Sequence, residues 1–162
     1  MDSILINTLI LNSIILILLL IYSLKYKTTW KIWFFTYLIL LSSVIEQTSE
    51  PICRKPTLYT SFYGLIHIMY SLYLALGSFL FGFYRIHLIL ILLTACGWII
   101  FKGRCRAQIE YNKICNIDEK SSFVDIQNVI FNRILKIKGT AYKWPLVIII
   151  ILFDIYYIKK GK

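Results

Sequence analysis

The sequence predicts an all-α fold: a polytopic transmembrane helical bundle of four or five spans, carrying one amphipathic interfacial helix and forming a single domain over residues 1–162. Three observations point there. The chain is 59% hydrophobic and only 16% charged, against roughly 45–50% apolar and 25% charged residues in soluble domains. Its apolar residues are gathered in runs near the length that crosses hydrocarbon, and a helix that is apolar all round has no face to offer water. Its 18 Lys and Arg fall between or at the ends of those runs, where anchors and topology determinants sit.

The first run, residues 4–24, covers about 30 Å at a rise of about 1.5 Å per residue and is expected to span. No basic stretch precedes it and no small-residue cleavage site follows it, so it reads as a retained anchor. Asn7 and Asn12 are its strongly polar interior residues, and such amides settle against a neighbouring helix. A shorter second span is expected over residues 29–46, with Trp30 and Trp33 forming an aromatic belt at one end and Glu46 closing the other. Residues 46–56, with Pro51 and Pro56, read as a loop.

Residues 58–101 are too many for one span and fit a hairpin of two, over 58–81 and 85–101. The turn belongs at Gly82, which can take the positive φ of a helix C-cap, just before the charge of Arg85. Residues 102–143 are polar and hold nine Lys or Arg. Within them Phe123, Ile126, Ile130, Ile134 and Ile137 recur at helical spacing, predicting an interfacial helix over 121–138. The last span is expected over 143–158, with Pro145 in its first turn. Asp154 opposes insertion by about 2.5–3.5 kcal/mol if it lies centrally, and less if it lies toward the Lys159-Lys160 end.

This topology puts Cys53, Cys105 and Cys115 at one end of the bundle, with Cys96 inside the fourth helix. In an oxidising compartment Cys53 could bridge to Cys105 or to Cys115, whereas in the cytosol all three would be thiols. Counted by end, eleven basic residues share the face of these cysteines and seven lie opposite, which favours a cytoplasmic cysteine face; Lys25, Lys27 and Lys31 argue the other way. No Cys-x-x-Cys pair is present, so the cysteines are expected to be structural rather than catalytic.

His67 is the sharpest candidate functional residue, because nine residues into its helix it lies about 13 Å below the headgroups. It is expected either to be a neutral imidazole bonded to a hydroxyl such as Thr94, or to serve as a metal or haem ligand or proton relay. Gly64, Ser71, Ala75, Ser78 and Gly82 form a small-residue stripe on the same face, which lets another helix approach closely. At the other membrane face Asp154 is expected to pair with Arg85 or His87, as structural glue or as part of a proton path.

The segment His67 to Gly77 (HIMYSLYLALG), then Arg85-Ile-His87-Leu, Gly97-Trp98, Cys105 and Glu110, resembles the order of landmarks in a family of small bacterial membrane proteins catalogued as domain of unknown function 2784. The likeness covers about 45 residues, and Arg106-Ala107-Gln108 stands where that family has Pro-Leu-Thr. It implies a compact helical bundle with no assigned activity, and it singles out Cys105 and Glu110 beside His67.

The net charge of +10 would suggest nucleic acid in a soluble domain, but its distribution suits anionic headgroups, and no nucleic-acid partner is expected. There is no phosphate-cradling glycine loop, His-Glu-x-x-His, paired acidic motif or Thr-Val-Gly-Tyr-Gly filter. The expectation is a non-enzymatic structural or interaction protein of a membrane or envelope, with no catalytic residue, metal or cofactor. Its expected partners are the lipid bilayer and either itself or another membrane protein. A small transporter or proton-coupled channel is the alternative, and a cofactor-binding redox protein a further one.

Overall fold

A computed structural model describes residues 3–48, 53, 57–117, 136 and 142–161. Among them the regular elements are six helices: α1 Ser3–Lys25, α2 Trp30–Thr48, α3 Leu58–Phe81, α4 Tyr84–Ile100, α5 Arg106–Cys115 and α6 Lys143–Lys159. Five of these fall where apolar runs predict them. The interfacial helix anticipated over 121–138 falls outside the described residues, apart from Lys136.

Local chemistry sets the boundaries of α3. Thr57 and Thr60 form a reciprocal capping box at its start, satisfying backbone donors that have no intrahelical partner. Gly82 closes it at φ 73°, the left-handed conformation that costs a residue without Cβ least. Gly82 and Phe83 alone separate α3 from α4, so the two run antiparallel as a tight hairpin.

The central helix is α3, which packs against α1 and α2 on one side and α4 and α6 on the other. Ile39, Leu65, Ile68 and Leu72 form the first core, with Leu11 and Phe35 against it. Ile91, Val147 and Ile150 form the second, with Leu74, Leu88 and Trp98 against it. A third cluster, at the end holding the start of α3, joins Cys53, Tyr111 and Cys115 and seats the short α5 on α3.

Polarity across this bundle is inverted relative to a water-soluble one. Ile21, Leu93 and Leu152 are 58%, 63% and 61% exposed, whereas Ser43, Ser78, His87 and Asp154 are at most 1% exposed. Some of the buried polar groups bond one another: Ser43 donates to Asn12 Oδ1 at 2.9 Å, joining α2 to α1, whereas Ser42 Oγ and Ser61 Oγ are buried with no hydrogen-bond partner among the described residues. Two helices, Leu5–Lys25 and Leu58–Phe81, are long and apolar enough to cross a membrane. The apolar helices Trp30–Ile45 and Tyr84–Ile100 are shorter.

Candidate functional site

Near the Gly82 end, three helices contribute one buried polar cluster. His87, in the first turns of α4, and Ser78, in the last turn of α3, are brought together by the hairpin. Asp154 enters from α6, five residues before its end and so about 8 Å from it. His87 Nδ1 lies 2.7 Å from Asp154 Oδ2 and 2.7 Å from Ser78 Oγ. His87 Nε2 lies 3.1 Å from the Tyr73 carbonyl and 3.2 Å from that of Leu74.

These partners fix the proton inventory. Carbonyl oxygens only accept, so Nε2 carries a hydrogen and donates it. A bare Nδ1 facing a carboxylate anion at 2.7 Å would oppose two lone pairs, so a second proton lies between Nδ1 and Oδ2. Whichever atom holds it, the pair carries no net charge, which suits its complete burial. Asp154 Oδ1 is also buried and has no hydrogen-bond partner among the described residues. Ser78 and Asp154 approach the same ring nitrogen, whereas a Ser-His-Asp hydrolase places them on opposite nitrogens, so the cluster is not a nucleophilic triad.

Above the cluster, toward the Cys53 end, α3, α4 and α6 enclose a cavity of about 50 Å³, room for about three or four water molecules. His67, Ser71 and Thr94 bring polar groups to its wall and Lys143 stands at its end. Leu74, Ile91 and Ile150 also line it. Each of these connects to the pair: the Leu74 carbonyl accepts from His87, Ile91 lies one turn beyond His87, and Ile150 lies one turn before Asp154. The buried pair therefore sits directly beneath the apolar part of the cavity.

The structure decides between several of the alternatives. Of the two partners expected for Asp154 it is His87 that takes the place, while the Arg85 side chain is exposed on α4. His67 is buried in the cavity wall as anticipated, but the Thr94 hydroxyl is engaged by the Leu90 carbonyl at 2.8 Å and by Tyr70 Oη at 2.7 Å. The disulfide joins Cys53 to Cys115, leaving Cys105 a free thiol that lines the cavity and Cys96 a free, exposed one. Glu110 faces Lys113 at 3.7 Å on α5, and both side chains are exposed. Of the small-residue stripe, Gly64 and Ser78 are buried inside the chain while Ser71 and Ala75 line the cavity. Gly82 is the C-cap.

Two contributors escape a reading of the sequence. Tyr73 lays its ring edge-on to His87, centroids 5.4 Å apart. Gly77 makes room for it, since a Cβ there would lie 2.8 Å from the Tyr73 ring. The spacing of 4 between Tyr73 and Gly77 was the available signal, hidden among other small residues. Among the described residues no three His, Cys, Asp or Glu side chains converge as a metal site.

Comparison with family models, with curated proteins and with solved structures finds no match for this chain.

Proposed function

We propose that this chain is a multi-pass membrane protein whose α3, α4 and α6 half conducts protons, alone or coupled to a small solute. In this reading α1, α2, α3, α4 and α6 all cross the bilayer, α2, α4 and α6 being shorter spans held in place by their longer neighbours. The observation that carries it is the fully buried His87–Asp154 pair, Nδ1 and Oδ2 lying 2.7 Å apart. Ionisable groups at membrane depth are costly and mark proton and ion paths.

The path divides into two segments. From the Cys53 end, His67 and the polar wall of the cavity reach about halfway through the bundle. From the Gly82 end, the pair lies within about 8 Å of the helix terminus. Leu74, Ile91 and Ile150 separate them, so a change of rotamer at either isoleucine would join the segments and alternate closure would keep them apart. The unpartnered Asp154 Oδ1 is the acceptor nearest that junction on the pair. The small-residue stripe is used within the chain, Gly64 and Ser78 being buried and Ser71 and Ala75 lining the cavity.

Proteoliposomes containing a pH-sensitive dye test this. Under an imposed gradient the wild-type protein should dissipate it, Asp154→Asn should reduce flux toward that of protein-free vesicles, and His67→Ala should slow it. Asparagine can still donate to His87 Nδ1, so the fold should persist. Flux indifferent to both substitutions removes the proposal and leaves the pair as a helix fastener.

A further inference from the structure

A second cleft, of about 200 Å³, lies on the outer side of the same hairpin. Gly97 lines it, with Leu93 on α4, Phe101 at the C-cap of α4 and Tyr70 on α3. A Cβ built at Gly97 meets nothing within 4 Å, so the glycine opens a notch rather than accommodating a neighbour. The groove continues onto lipid-facing surface, since Leu93 is 63% and Ile89 59% exposed.

One end of the groove is cationic. Residues 102–106 read Lys-Gly-Arg-Cys-Arg, three cations and no acid. Lys102 and Gly103 take successive positive φ values of 53° and 82°, and Gly103 N–H donates back to the Trp98 carbonyl at 2.6 Å. That reversal folds the chain over the end of α4 and places Arg104 and Arg106 on the groove wall. The Trp98 indole N–H, in the same wall, is buried without an acceptor among the described residues.

We infer that this groove binds an anionic phospholipid, with an acyl chain laid in the Gly97 notch against Leu93 and Tyr70, and its phosphate against Arg104 and Arg106. Apolar walls ending in two arginines just past a helix terminus match the two halves of such a lipid, and arginine suits phosphate because its planar fork donates two parallel bonds. A zwitterionic lipid would offer the same chain and phosphate but carry its own cation to the arginines. The site needs the membrane placement proposed above but not the proton chemistry, since His87 and Asp154 lie outside it.

Native mass spectrometry of the full chain, extracted from vesicles of equal phosphatidylglycerol and phosphatidylcholine, tests the inference. Wild type should retain phosphatidylglycerol preferentially. Each of Arg104→Ala and Arg106→Ala should weaken retention about fivefold, and Gly97→Phe should abolish it by filling the notch. Lys159→Ala at the opposite end and Asp154→Asn should leave it unchanged, which separates this site from the proton pathway. Equal retention of both lipids, retention unaffected by the double arginine variant, or displacement by millimolar inorganic phosphate would each overturn it, the last by marking a soluble-anion site.

Discussion

At the scale of residues, the energetics of the buried pair follow from what each partner would be without the other. Replacing His87 alone by Leu strands a carboxyl group in a site where Asp154 is fully buried and already has one unpartnered oxygen. Breaking such pairs costs about 3–5 kcal/mol, whereas exchanging both partners for apolar residues is often neutral. Thermal unfolding in detergent should therefore show a large loss for His87→Leu, a comparable loss for Asp154→Leu, and a double variant more stable than either single one. A strictly additive cycle would show that the contact at 2.7 Å carries no coupling. The sequence exposed the ingredients of this site but not its pairing. Arg85 and His87 both lie near Asp154 along the helices, and only the rotation of α4 about its axis, set by packing of Ile91 against Val147 and Ile150, decides that His87 faces inward.

Among elements, the helices were legible because lipid-length apolar runs and their breakers are one-dimensional signals, and the α3–α4 turn at Gly82 was readable because positive φ favours one residue type. The short α5 was not read. Its ten residues contain no long apolar run, and its buried positions Tyr111, Asn112 and Cys115 include a polar residue and a disulfide, so tertiary contacts define it. The interior function of the small-residue stripe was equally hidden, since spacing says which residues share a face but not what lies opposite. Glycines make the contrast measurable. Gly82→Ala should destabilise by about 1–2 kcal/mol, the cost of a left-handed residue with a Cβ, because its φ is 73°. Gly97→Ala, in a helix with nothing within 4 Å of the new Cβ, should be neutral or stabilising by up to about 1 kcal/mol. Matching unfolding midpoints for the two variants would contradict this assignment of roles.

For the molecule as a whole, the disulfide and the charge distribution pull toward opposite orientations, and their strengths can be compared. Eleven basic residues against seven favour a cytosolic Cys53 end, but nine of the eleven lie in the long segment 102–143, and the charge bias acts mainly through residues close to the spans. Lys25 ends α1, Lys27 follows it and Lys31 lies in the first turn of α2, all at the other end and close to two of the helices proposed to span. A Cys53–Cys115 bond closing a separation of 62 residues forms and persists chiefly where the compartment is oxidising, and it restrains the unfolded chain by about 4 kcal/mol on the chain-entropy account. In the proposed membrane placement the Cys53 end should therefore face away from the cytosol. In sealed vesicles of known orientation, a membrane-impermeant maleimide applied from the non-cytosolic side should label Cys53 and Cys115 only after reduction by an impermeant phosphine. The same reduction should lower the unfolding midpoint, and Cys53→Ser should reproduce that loss. Labelling of both cysteines from the cytosolic side without reductant would reverse the orientation, and with it the direction in which His67 and the buried pair face the proton gradient.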